Sequence, residues 1–132
     1  MTRNLFDLTG KTAVITGGSR GLGRAMALAF ADHGANVVVA SRKLDACVQV
    51  AQEVEARGRR ALPVACHVGR WNEVEALAAQ AISTFGRIDI LVNNAGLSPL
   101  YPSLDQVTED LFDKVIAINL KGPFRQIGRA HV

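Results

Sequence analysis

The sequence predicts a doubly wound α/β domain with a parallel sheet, and three observations carry that reading. Short apolar runs alternate with longer segments of helical period over most of the 132 residues. A glycine-rich loop, Thr16-Gly17-Gly18-Ser19-Arg20-Gly21-Leu22-Gly23, joins the first apolar run to the first helical segment. A second motif of amides and small residues, Asn93-Asn94-Ala95-Gly96, closes a later apolar run, Ile88 to Val92.

The strand cores read as Ala13 to Thr16, Val37 to Ala40, Ala61 to Cys66 and Asp89 to Val92. Each is short and apolar, as strands covered on both faces should be. Between them apolar residues recur at three and four: Leu22, Ala25, Met26, Ala29 and Phe30; then Leu44, Cys47, Val48 and Ala51; then Val74, Leu77, Ala78, Ala81, Ile82 and Phe85. These spacings put one stripe of each helix on the sheet. Gly34, Gly58 and Gly86 fall where the three helices should stop. Pro99 and Pro102 mark a loop, and a further helical element runs from Thr108 to about Phe124, with Leu111, Val115, Ile118 and Asn119 on one side. The whole amounts to a sheet truncated after about four strands and five helices. Right-handed crossovers give the strand order 3-2-1-4, which brings both motifs to one crevice at the carboxyl ends of strands 1 and 4.

Length allows one domain with a modest core. An apolar content of 48% and a mean hydropathy of +0.15 fit a folded chain. No apolar run approaches the roughly 20 residues that span a bilayer, so no membrane association is expected. Met1 to Gly10 lacks the basic start and apolar stretch of a secretory signal, and a cytoplasmic location is the expectation. Cys47 and Cys66 make no disulfide framework and read as buried reduced thiols. The net charge is +3; its densest group, Arg57, Arg59 and Arg60, lies between a helix and a strand without interleaved aromatics. That is a solvated helix end, and no nucleic acid is expected as a partner. Nor is a metal.

Glycines suit a phosphate-binding loop because, without a Cβ, the backbone turns tightly and brings its N–H groups to an anion. Gly17 would make the turn. Gly21 and Gly23 would let the first helix start close to strand and ligand, with the positive end of its dipole at the phosphates. The alternative is an ordinary glycine turn between a strand and a helix. The spacing differs from the general G-x-G-x-x-G fingerprint of dinucleotide sites.

With Asn93-Asn94-Ala95-Gly96, the loop resembles that of the short-chain dehydrogenase/reductase family, which carries a TGxxxGxG cofactor loop and an NNAG strand end. The resemblance covers residues 8 to about 125. It implies a Rossmann-type domain in an oxidoreductase that transfers a hydride between a nicotinamide cofactor and an alcohol or ketone. Gly17, Ser19, Arg20, Gly21, Leu22 and Gly23 would hold the pyrophosphate, and Asn93, Ala95 and Gly96 the riboses. Val68 matches a residue that packs on the adenine. The family often has an Asp near the adenine where this chain has His67, so that polar contact does not carry over.

Cofactor choice follows from charge. An acid ending the second strand would accept from a ribose 2′-OH and favour NAD, whereas arginine favours the 2′-phosphate of NADP. Here Ser41-Arg42-Lys43 precedes the first acid, Asp45, and Arg20 offers a second guanidinium fork. NADP(H) is the expected cofactor, with NAD(H) as the alternative. The same basic place speaks against a methyltransferase, whose second strand usually ends in an acid.

Asn119, within Asn119-Leu120-Lys121-Gly122, matches the Asn of the family's catalytic tetrad, where it holds water in a proton relay; the other reading is an Asn satisfied by backbone. The Ser, Tyr and Lys of the tetrad are absent. The single tyrosine, Tyr101, has Asp105 four residues on, so no Tyr-x-x-x-Lys exists. A non-catalytic dinucleotide-binding module or redox sensor is the rival reading, and the full-length enzyme is expected to be a homo-oligomer. The resemblance stops after Arg125. Residues Ile127-Gly128-Arg129-Ala130-His131-Val132 translate the codons ATC GGA AGA GCA CAC GTC of a common sequencing-library adapter, and a CAG codon for Gln126 fits its preceding bases. The expectation is a domain over residues 1–126, the N-terminal part of a longer protein, with residues 127–132 an adapter-derived scar.

Overall fold

Every residue of β1 (Thr12–Thr16) is buried, which places this strand at the centre of the sheet. On one side it pairs with β2 (Asn36–Ser41), Val14 opposite Val38; on the other with the short β4 (Ile90–Val92), Val14 opposite Leu91. β3 (Ala61–Ala65) extends the sheet beyond β2. All pairings are parallel and the order is β3-β2-β1-β4, as the sequence predicts. This computed structural model describes residues 4–130; His131 and Val132 of the adapter-like tail lie outside them.

Strand alternation sorts the core into two layers. Val14, Val38, Ala40 and Val64 meet Val74, Leu77 and Ala81 of α3 (Trp71–Phe85), together with Ile118. Ile15, Val37 and Val39 meet Ala27 and Ala31 of α1 (Gly21–Asp32) and Cys47, Val50 and Val54 of α2 (Leu44–Ala56). Both cysteines are free and buried. Among the described residues no helix is long and apolar enough to cross a membrane.

Two helices turn a different stripe inward from the one their spacing predicts. In α1 the buried residues are Gly23, Ala27 and Ala31, while Leu22 is 76% exposed. Small residues win here because the helix begins against its own loop: a Cβ at Gly23 would stand 2.0 Å from the Gly17 carbonyl oxygen. In α2 the stripe shifts to Cys47, Val50, Ala51 and Val54, leaving Leu44 and Val48 exposed. Helix α3 buries Val74, Leu77 and Ala81 as expected, although Ile82 faces outward.

The last helical element also departs from expectation. It consists of α4 (Glu109–Ile116), a π-helical turn (Ala117–Lys121) and α5 (Gly122–Ala130). The Gly122 N–H donates to the Ala117 carbonyl, five residues back, which widens the turn that carries Asn119. Beyond Phe124 the helix continues because α3 supports it. Arg125 and Arg129 both pair with Glu75, Trp71 stacks on Phe124, and the Trp71 indole N–H donates to the Lys121 carbonyl at 3.2 Å.

Asp89 ties the start of β1 to the approach of β4. Its carboxylate accepts from the Thr12 N–H at 2.9 Å, its own N–H donates to the Thr12 carbonyl at 2.9 Å, and Arg87 pairs with the same carboxylate. Desolvation pushes the Asp89 carboxyl up, but the Arg87 guanidinium and the Thr12 N–H outweigh it and hold it below the ordinary carboxylate range. The stabilisation is therefore complete above the unfolded value near 3.8 and is lost as pH falls through the lower folded value. Asp89→Ala should lower unfolding stability by about 1–2 kcal/mol at pH 7. In urea titrations the gap from wild type should close as the pH drops below 3.8.

Candidate functional site

The two sequence motifs meet through one hydroxyl. Thr16 is the last residue of β1, only 1% exposed. Its Oγ1 accepts from the Asn94 N–H and the Ala95 N–H, each at 3.1 Å, and donates to the Val92 carbonyl at 3.3 Å. Asn94 completes the stitch by donating from Nδ2 to the Gly17 carbonyl at 3.1 Å. The glycines fit around it. Gly17 has φ +62°, and a Cβ there would come within 2.9 Å of Asn94 Nδ2. Gly21 has φ +55°, a value that permits the sharp entry into α1.

The stitched loops floor a cleft of about 690 Å³ at the carboxyl ends of the strands. Its lining includes Gly17, Ser19, Arg20 and Gly21 from the β1 loop; Ser41, Arg42 and Lys43 after β2; Cys66, His67 and Val68 after β3; Asn94, Ala95, Gly96 and Leu97 after β4; and Lys114 and Ile118. Four of these residues are Arg or Lys, and none is Asp or Glu. Among the described residues none of those four cations joins an ion pair. Helix α1 has no side-chain cap and no acid in its first turn, so its leading N–H groups and positive dipole end are left for an anion. The cleft is thus a cation-rich, backbone-lined anion site with a more apolar end at Val68 and Ile118.

Of the residues singled out from sequence, Gly17, Ser19, Arg20, Gly21, Ser41, Arg42, Val68, Ala95 and Gly96 line this cleft. Leu22, Gly23, Asn93 and Asn119 do not. Gly23 lies beneath the loop, where it allows the approach of α1 to Gly17. Of the two asparagines, Asn94 is the one that holds the loops together. Asn119 clamps the loop after β4: its Oδ1 accepts from the Leu97 N–H at 2.8 Å and its Nδ2 donates to the Leu97 carbonyl at 2.7 Å. Both ends of the amide are therefore satisfied by backbone, though on another element rather than on its own helix.

Sequence reasoning overlooked Thr16, Asn94, Lys114 and the packing role of Gly122. A Cβ at Gly122 would lie 2.4 Å from the Val68 carbonyl oxygen, so this glycine lets the last helix close on the loop after β3. A polar residue ending an otherwise apolar strand was the available signal for Thr16. Cys66 also reaches the cleft, but burial, together with Glu73 and Cys47, pushes its thiol up to about 11. It stays a thiol near neutrality.

Thr16→Val keeps the shape of the side chain and removes its hydroxyl, leaving the Asn94 and Ala95 N–H groups without this acceptor. The variant should lose about 1–3 kcal/mol of stability, measured by denaturant unfolding, and should bind anionic ligands of the cleft more weakly.

Comparison with known proteins gives the geometry its context. A family profile described as short chain dehydrogenase matches residues 11–130. An uncharacterized oxidoreductase of Mycobacterium tuberculosis is 46% identical over 113 residues, covering 86% of this chain and 43% of that protein. Human dehydrogenase/reductase SDR family member 4 is 40% identical over 123 residues, covering 93% of this chain and 44% of that one. The chain thus spans less than half the length of these relatives. Among solved structures, a short-chain type dehydrogenase/reductase from Mycobacterium marinum superposes with a TM-score of 0.90 at 39% identity, covering 96% of this chain and 49% of its own. A metagenomic short-chain oxidoreductase solved in complex with NADP gives 0.89 at 35% identity, covering 92% and 55%. The stitched loops, the parallel sheet in the order β3-β2-β1-β4 and these matches agree: the chain belongs to the short-chain dehydrogenase/reductase family of oxidoreductases.

Proposed function

We propose that this chain is the cofactor-binding half of an NADP(H)-dependent oxidoreductase that moves a hydride between nicotinamide and an alcohol or ketone. The observation that carries the reading is the cleft itself, in which cations without an ion-pair partner and glycine backbone converge, with no carboxylate in the lining among the described residues. The backbone of Gly17 to Gly23, with the uncapped start of α1, cradles the pyrophosphate. Ser41 and Arg42 hold the 2′-phosphate, with Arg20 opposite and Lys43 adjacent. Val68 packs on the adenine, and the Asn93 to Gly96 segment lies along the riboses. When bound, the nicotinamide supplies or accepts the hydride.

Asn119 enters this scheme as a positioning residue through its grip on Leu97, with a place in the proton relay carried from the family. The acid that would protonate an alkoxide is not in the cleft, since Tyr101 is not among its lining residues. We therefore place the tyrosine and its lysine partner outside this chain. Exposed Phe112, Leu120 and Phe124 on α4 to α5 support a homo-oligomeric whole protein. A thiol-based redox sensor finds no support in two buried cysteines, one of them with its thiol pushed up to about 11.

Dinucleotide titrations should show NADPH binding more tightly than NADH, and Arg42→Ala should erode the preference about tenfold. Ser41→Asp should swing it toward NADH, because a carboxylate accepts from the 2′-OH and repels the 2′-phosphate. Equal affinities in the unmutated chain would sink the assignment.

The 132-residue chain should turn over no ketone or aldehyde with NADPH, since loss of the general acid alone removes about 10²- to 10⁴-fold. Gly17→Val, which blocks the loop, serves as the control for contaminating enzyme. Turnover shown by the chain and missing from that control would contradict the division between binding and chemistry.

A further inference from the structure

Ser41 ends β2 in the lining of the cleft, and three groups of the protein surround its hydroxyl. The Lys43 N–H donates to Oγ at 3.4 Å, the Lys43 carbonyl stands 3.4 Å away as an acceptor, and Sγ of Cys47 lies at 3.1 Å. Cys47 is fully buried on α2 and does not line the cleft. Its sulfur has one other partner among the described residues, the Val64 carbonyl of β3 at 3.7 Å. A hydroxyl has one hydrogen and two acceptor sites, and a thiol has one hydrogen, so two arrangements satisfy this set. In the first, the Ser41 hydrogen turns inward to the sulfur and the thiol hydrogen goes on to Val64. In the second, the thiol donates to Ser41 Oγ, which then accepts from Cys47 and Lys43 together and has no lone pair left. The hydrogen of Ser41 is then its only means of contact with the cleft.

We infer that Cys47 is a positioning residue for phosphate, its thiol filling the second lone pair of Ser41 and so making that hydroxyl a donor alone toward the cleft. The inference rests on the dinucleotide reading above, in which Ser41 and Arg42 hold the 2′-phosphate. A phosphate dianion offers only acceptor oxygens, and the bond it takes from a hydroxyl is charge-assisted, stronger than one to the Lys43 carbonyl 3.4 Å away. A ribose 2′-OH offers a hydrogen as well, which Ser41 without a free lone pair cannot accept. Cys47 thus adds to the discrimination between the two cofactors from a buried position behind the cleft wall.

Fluorescence titrations of the 132-residue chain with NADPH and with NADH give the ratio of the two dissociation constants. Cys47→Ala removes the thiol and should shrink the preference for NADPH about threefold. Cys47→Ser keeps a donor at the same place and should hold the ratio within about twofold of the unmutated chain. In a Ser41→Ala background, Cys47→Ala should leave the ratio where Ser41→Ala alone puts it, since the effect runs through that hydroxyl. Affinities for both dinucleotides that fall together in Cys47→Ala mean packing alone and overturn the role of Cys47, leaving the dinucleotide reading standing. So does an unchanged ratio, or an equal loss in the Ser41→Ala background. Where Cys47→Ala does not fold, Cys47→Val supplies a buried side chain without a donor for the same comparison. Infrared spectra of a Cys66→Ala chain read the remaining thiol directly. Its S–H stretching band should move to lower frequency on saturation with NADPH, as the thiol turns from Val64 at 3.7 Å to Ser41 at 3.1 Å, and a band that stays in place overturns the inference. Saturation with neither dinucleotide overturns the dinucleotide reading itself, and this inference with it.

Discussion

The hydroxyl of Thr16 is the contact on which the site depends. It uses its full hydrogen-bonding capacity, two acceptances and one donation, on backbone groups at the end of β4 and just beyond it. Those N–H groups lie past the last sheet pairing, Ile15 opposite Val92, where no neighbouring strand can satisfy them. One side chain at a strand end thereby converts two loops, distant in the chain, into a single floor. Asn94 reinforces the junction from the other direction through the Gly17 carbonyl. The positions of Gly17, Ala95 and Gly96 all follow from it.

Around that floor, charge is arranged by omission as much as by placement. The ion pairs of the described residues use other cations: Arg24 pairs with Glu53, Arg57 with Asp32, Arg70 with Glu73, Arg87 with Asp89, and Arg125 and Arg129 with Glu75. No carboxylate lines the cleft, where Arg20, Arg42, Lys43 and Lys114 remain uncompensated among the described residues. An uncapped helix start adds donors that water alone would otherwise satisfy. Such a site loses little by releasing water and gains charge-assisted hydrogen bonds when a phosphate arrives.

Strand positions and their order were legible because a parallel sheet covered on both faces leaves almost continuous apolar runs, such as Val37 to Ala40. The helix stripes were less so. In α1 the sequence offers Leu22, Met26 and Phe30 as obvious core residues, yet the space beside Gly17 admits only Gly23, and that sets the helix phase. The π turn at Ala117–Lys121 left no periodic trace, since a single widened turn merely shifts the stripe that follows. In the site, glycines and basic residues could be read because their chemistry is local. Thr16 and Asn94 could not, because their partners are set by the pairing of β1 with β4 and not by neighbours in the chain. Of two adjacent asparagines, only the three-dimensional turn decides which one reaches Gly17.

Backbone and side chains divide the work of this cleft unequally. The anion cradle is built from main-chain geometry: Gly17 at φ +62°, Gly21 at φ +55°, and a Gly23 with no room for a Cβ. A side chain at Gly17 or Gly23 would collide with the loops themselves, so substitution at these two positions breaks the cradle rather than adjusting it. The rim at Arg42 and His67 consists of side chains just past strand ends, outside both buried layers. Evolutionary change in what such a protein binds should therefore run through the rim, in single steps, while the cradle stays fixed. A fold partitioned in this way can change its ligand without first losing its stability.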